Sequence, residues 1–230
     1  MRVWIGLDDT DNDESRGTGH LARQIAAALV ETGALLGVTR HQLLVDPRVP
    51  YTSHNSSAAI HLETRDSFDL SALMDRVRRA MLTDFQPGSD PGLCIASGEV
   101  PAEIVAFGRR AQIDVVTQSQ ARSLASAFDL RLEGLGGTQD GVIGALSAVG
   151  LAACGEDGRY LLVGAIRALA GLQPVETLLS AGIAAVKTMD GQIVRQGMVL
   201  ADKLRPARRS GMPVQYVDWQ VDHWQPLKLN

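Results

Sequence analysis

"GLDDTDNDESRGTGHLA", residues 6–22, ends an apolar run in a cluster of carboxylates and leaves it through a Gly-Thr-Gly step into a helical pattern. Before it, residues 3–7 are short and apolar and predict a buried strand that stops where the acids begin. After it, Leu21, Ile25, Ala28 and Leu29 recur at helical spacing, with Gly33 as a stop. Strand, acidic turn and helix are the opening of an α/β chain. Asp8, Asp9, Asp11, Asp13 and Glu14 lie so close together that their repulsion is relieved only by water or a bound cation.

On either side of this stretch the pattern alternates. Strands are predicted at 42–45 and 58–62, flanking a long loop, "DPRVPYTSHNSS", and further on at 93–96 and 160–166. Helices are predicted over 70–81, from Pro101, around 121–128, over 142–149 and over 175–181, and Asp190-Gly191 marks a hairpin turn. The class is therefore mixed, α/β or α+β.

The 230 residues are 45% hydrophobic and 21% charged, which excludes a disordered chain. A net charge of -4 supplies no global field toward nucleic acid or an anionic membrane, so a polyanion would need a local basic patch. Two cysteines, Cys94 and Cys154, are too few for a four-cysteine zinc site or a disulfide framework, and two reduced thiols are expected. No apolar run has the length of a membrane span. The N-terminus enters a strand at once, leaving no room for a signal peptide, so a cytoplasmic protein is expected.

Adjacent carboxylates at a strand end suit a divalent ion, and magnesium takes one or two carboxylates plus water and substrate phosphates. Asp8, Asp9 and Asp11 are the expected ligands; a solvated acidic loop capping a helix is the plainer alternative. An EF-hand is excluded, because its sixth position would be Glu14 and its twelfth His20. An aspartyl-phosphate phosphatase built on Asp9 and Asp11 remains a weaker enzyme alternative.

Gly17 and Gly19, with His20, stand where a phosphate would approach helix amides. The Thr18 hydroxyl could bind the metal or accept a phosphoryl group; it could also serve as the N-cap. Gly136, Gly137 and Gly141, in "GGTQDGVIGALSAVG", form a second candidate cradle that lacks the lysine of a Walker loop. Arg205, Arg208 and Arg209 are the dense basic run, read as a solvated tail with phosphates or RNA as the alternative contact. Tyr51 and His54 could stack on a base or touch a phosphate.

Taken in order, "MRVWIGLDDTD", "PRVPYTSHN", "SDPG", "EVP", "GVIGALSAVG" and "RPARRSGMPVQYV" resemble the archaeal agmatidine synthetase family across nearly the whole chain. That family uses ATP to attach agmatine to a cytidine in an isoleucine tRNA anticodon. The resemblance implies a kinase-like unit over 1–66 and a ferredoxin-like and glycine-rich region over 67–204, intertwined with the first. A tail over 205–230 would follow. It implies ATP and magnesium as cofactors, Asp8, Asp9 and Asp11 as metal or nucleotide ligands, and Thr18 at the position of an autophosphorylated threonine.

The family's Cys-Thr-Thr-Tyr segment is replaced by Gly17-Thr18-Gly19-His20, and its loop lysine and arginine by Thr52 and His54. The family continues into an OB-type domain and a zinc ribbon that hold tRNA, whereas this sequence stops at Asn230. The expected function is thus Mg-ATP-dependent phosphoryl transfer to a small-molecule or nucleoside-like acceptor, with tRNA a less favoured partner. The alternative is a non-catalytic nucleotide-binding or tRNA-modification partner protein.

Overall fold

A computed structural model describes residues 1–12, 16–49, 55–65 and 68–229. The chain runs β1 (Arg2–Asp8), α1 (Thr18–Ala28), β2 (Ala34–Gln42), β3 (Ser56–Glu63), α2 (Leu70–Thr83), β4 (Gly92–Ser97), α3 (Ala102–Ala111), α4 (Gln118–Ala127) and β5 (Arg131–Gly134). It continues through α5 (Gly141–Cys154), β6 (Arg159–Leu162), β7 (Leu172–Pro174), α6 (Val175–Ser180), β8 (Ala185–Lys187) and β9 (Met198–Leu200). It closes with β10 (Ala207–Arg209), β11 (Met212–Trp219) and β12 (Trp224–Pro226). The sheet order is β5-β4-β1-β3-β2-β6-β10-β11-β12-β9-β7, with β8 beside β11. The mixed α/β class read from the pattern is the class observed.

β1 lies between β3 and β4, antiparallel to both, and is covered on both faces. Val3, Ile5 and Leu7 face a core built with α1 and α2, through residues such as Leu21, Ile25, Leu73 and Met81. Trp4 points the other way, into a core with Ile104, Phe107, Val142 and Val149. A strand buried on both faces reads as a continuous apolar run, which is why residues 3–7 show no alternation. Gly6 lets α5 approach: a Cβ there would overlap the Ala145 carbonyl. The sheet passes unbroken from β3 through β1 to β4, so the segments on either side of residue 66 share it.

Several boundaries differ from the expectations. The strand expected at 42–45 lies at Ala34–Gln42 instead, where a register shift between Leu35 and Gly37 breaks the alternation in sequence. Helix α1 ends at Ala28, because the Leu29 amide turns back to the Ile25 and Ala26 carbonyls before Gly33 is reached. The strand expected at 160–166 stops at Leu162, and a 3-10 turn takes Ile166–Ala168. Residues after Arg205, expected as a solvated tail, form β10, β11 and β12 within the sheet. Both cysteines are free thiols. Among the described residues no helix is long and apolar enough to cross a membrane.

Candidate functional site

The C-terminal end of β1 meets the N-terminal ends of α1 and α5. Asp8 still pairs with Gly92 of β4, and its carboxylate fills the space that Gly144 leaves by having no Cβ. Asp9 then turns the chain with φ at 48°, a left-handed conformation that aspartate tolerates better than most residues. The Thr10 amide and hydroxyl donate to Thr18 Oγ1 at 3.3 and 3.1 Å. The Thr18 hydroxyl donates in turn to Asp11 Oδ1 at 2.7 Å.

Thr18 is therefore not the N-cap. Gly17 occupies that position, with φ 84° and ψ 151°, and Asp11 Oδ1 accepts the Thr18 amide at 3.3 Å. Asp11 takes over the capping role from across the turn, which leaves the threonine side chain 6% exposed and held by polar partners.

Burial pushes the Asp8 carboxyl well above the usual range, and the Asp9 charge adds to it. Asp9 is pushed up to about 6, first by burial and then by the Asp90 charge. Ionised carboxylates are thus held together at a free-energy cost that a cation would relieve. Among the described residues no three His, Cys, Asp or Glu side chains close into a cage for a metal. Magnesium needs only one or two carboxylates and completes its shell with water and phosphate oxygens, so a pair of these acids would suffice for it.

Asp8, Asp9, Asp11, Asp114 and Asp140 line a cavity of about 310 Å³, large enough for a small ligand. Leu43, Leu44, Val49, Val115, Val116 and Ile143 also line it, with Arg48, so the lining combines acidic and apolar residues. Asp11, Thr18 and Ser56 also border a second cavity of about 340 Å³, together with Gly17, Gly19 and His20. The expected residues therefore fall into two groups joined at Asp11 and Thr18.

The second glycine group divides. Gly141 lines the first cavity, but its amide donates to the Asp90 carbonyl at 3.1 Å. Gly136 packs against the Phe85 ring and Gly137 against the Asp90 carboxylate; neither borders the described cavities. The basic run also divides. Arg205 lines the second cavity, whereas Arg208 is 4% exposed and donates through Nε to the Ala152 carbonyl at 3.1 Å. Asp13, Glu14, Tyr51, Thr52 and His54 lie outside the described residues.

Sequence reasoning passed over Asp90, Asp140, Arg40, Arg159 and Lys228. Asp90 stands inside "SDPG", noted only as part of the family resemblance, and Asp140 inside "TQDG", where the flanking glycines alone drew notice. The three cations are isolated in sequence, and pairing of β2 with β6 and of β6 with β10 gathers the region around them.

No protein-family model matches the chain. The tRNA 2-agmatinylcytidine synthetase TiaS of Methanopyrus kandleri is 30% identical over 157 residues, covering 67% of this chain and 35% of the relative. The Archaeoglobus fulgidus synthetase is 31% identical over 156 residues, 65% of this chain and 36% of its own length. A solved complex of TiaS with tRNA and ATP aligns with a TM-score of 0.58 at 27% identity, over 65% of this chain and 36% of that one. A complex with tRNA, AMPCPP and agmatine aligns at 0.57, with the same identity and coverage. About two thirds of this chain thus matches part of the agmatinylcytidine synthetases in sequence and fold, and the match spans little more than a third of their length.

Proposed function

We propose that this chain is the ATP-handling part of a synthetase-like enzyme, catalysing Mg-ATP-dependent phosphoryl transfer to a nucleoside-like acceptor in the cytoplasm. The observation that carries the reading is the junction at Asp11 and Thr18, where an acidic, partly apolar cavity meets the start of α1. One or two of the carboxylates of Asp8, Asp9 and Asp11 would hold magnesium, which would supply charge neutralisation for the transferring group. Apolar side chains such as Leu43 and Val116 would take the nucleoside end, and Gly141 would let the backbone come close. Thr18, held by Asp11, would orient or accept the terminal phosphoryl group.

The relatives' names specify a cytidine in tRNA, and their solved complexes contain tRNA and ATP. That favours a cytidine-like acceptor, either a small nucleoside or the same base presented by RNA. The test is ATP consumption with magnesium by wild type, Asp9→Asn and Asp11→Asn, with cytidine and tRNA as separate acceptors. Loss of turnover in both variants is expected. Undiminished turnover in both would sink the reading.

A further inference from the structure

Two loops meet beside the acidic cavity: the segment leading into β4, which carries Asp90, and the segment between β5 and α5, which carries Thr138. Thr138 is exposed, so burial of apolar surface does not hold it there. Its amide donates to Asp90 Oδ1 at 2.8 Å and its hydroxyl to Asp90 Oδ2. Its carbonyl accepts from Gln118 Nε2 at 2.8 Å, and the same nitrogen donates to Asp140 Oδ1 at 2.7 Å. Gln118 and Asp140 line the cavity, whereas Asp90 and Thr138 stand behind it.

The contacts of Asp90 run in two directions. Thr138 takes both carboxylate oxygens, and Gly137 leaves room for them, since a Cβ there would overlap Oδ1. The main chain faces the other way. The Asp90 carbonyl accepts the Gly141 amide at 3.1 Å, at the first residue of α5. The Asp90 amide faces the Asp9 carboxylate and offsets part of the rise that burial imposes on it. One residue thus reaches both supports of the acidic cluster: Asp9 directly, and Asp8 through α5, whose Gly144 seats it. An acid is a costly choice beside Asp9, whose charge it opposes. The two-point grip on Thr138 accounts for it, because a carboxylate accepts at both oxygens and an asparagine at one.

We propose that Asp90 is a positioning residue for the acidic site, anchored by Thr138 and acting through its main chain on Asp9 and on the start of α5. This role rests on the Mg-ATP reading, because the carboxylates it positions are those that would hold the cation. Groups that orient a metal ligand matter nearly as much as the ligand, and losing one costs about 10–100-fold in affinity.

The experiment is titration of the full chain with manganese(II) chloride, free Mn2+ being followed by its paramagnetic resonance. It compares wild type, Thr138→Val, Asp90→Ala, the double variant and Thr138→Ser, with each fold checked by its melting temperature without metal. Each of the first two variants is expected to bind Mn2+ at least tenfold more weakly than wild type, and Thr138→Ser to within about twofold of it. The double variant should bind no more weakly than the weaker single one, since the two side chains act as a unit. If Asp90→Ala does not fold, Thr138→Val is read by the same criterion. A residue that only ties loops together would lower the melting temperature and leave the Mn2+ affinity of the folded chain unchanged; that result, or losses that add in the double variant, would overturn the proposal. Mn2+ bound by wild type and lost in Asp9→Asn, yet held equally by Thr138→Val and Asp90→Ala, defeats the positioning role while the Mg-ATP reading stands. A wild type that binds no Mn2+, with or without ATP, removes that reading and the role built on it.

Discussion

A single oxygen, Asp11 Oδ1, accepts both the hydroxyl of Thr18 at 2.7 Å and its amide at 3.3 Å. The carboxylate therefore fixes the start of α1 and orients the hydroxyl with one contact. A carboxylate within hydrogen-bond reach of a hydroxyl is also placed to take its proton. Asp11→Asn should lower single-turnover ATP consumption by roughly 100-fold, and Thr18→Val by a similar factor. Thr18→Ser should retain most of it. Asp11→Ala should also cost about 1 kcal/mol of stability through the lost cap, measurable by denaturant melts.

Gly144 is the residue against which Asp8 is seated, since a Cβ there would overlap the carboxylate. Gly144→Ala forces either the Asp8 side chain or α5 to move, and overpacking of this kind costs about 1–3 kcal/mol. The same change should weaken the stabilisation given by magnesium with ATP. A melt series with and without ligand checks both effects; an unchanged ligand response would show that Asp8 takes no part in holding the cation.

How far the sequence could be read follows from how local each feature is. The apolar run of β1 and the 3.6-residue spacing of Leu70, Leu73, Met74, Val77 and Met81 depend on short stretches, and both elements appear where expected. The short strands β7 to β12 are three residues each except β11, too short to show a period. Asp8 and Thr18 were legible because they flank a strand end and a helix start. Arg40 and Arg159 were not, because their proximity follows from the β2–β6 pairing across more than a hundred residues. Asp11 as the cap of α1 was hidden for a related reason: the contact crosses a turn, while capping rules look at the residue next to the helix.

Asp9 gives the site a pH dependence of definite sign. Its folded value, about 6, lies above the ordinary 3.8, so the folded chain binds the proton more tightly than the unfolded one. Without a cation, its contribution to stability declines as pH rises from about 3.8 to about 6 and is constant beyond. Asp8, raised in the same direction, acts likewise. A cation binds the ionised form and so competes with the proton. Magnesium with ATP should therefore raise the melting temperature more at pH 7.5 than at pH 5. Equal shifts at the two pH values would remove these carboxyls from the cation's shell.

The opposite sign is expected at His61. Its Nε2 and the Nε2 of His41 both lie 2.8 Å from the Thr39 hydroxyl, and His41 Nδ1 lies 2.7 Å from Asp157 Oδ1. With Asp157 ionised, His41 donates through Nδ1; when both rings are neutral, Thr39 donates to His41 and accepts from His61. Burial, then the Arg208 charge, holds His61 well below its ordinary 6.5, with His41 and Arg2 adding to the effect. The unfolded chain takes up that proton first, so the stability due to neutral His61 is present above about 6.5 and is lost as pH falls below it. His61→Gln keeps a donor for Thr39 but cannot titrate. Its melting temperature should fall less than that of wild type between pH 7 and pH 5, whatever the other carboxyls contribute, since they are common to both chains. Thr39→Val, which leaves ring nitrogens without their hydroxyl, should cost about 1–3 kcal/mol at pH 7. Parallel acid-melting curves for wild type and His61→Gln would show that the imidazole is not held neutral by its surroundings.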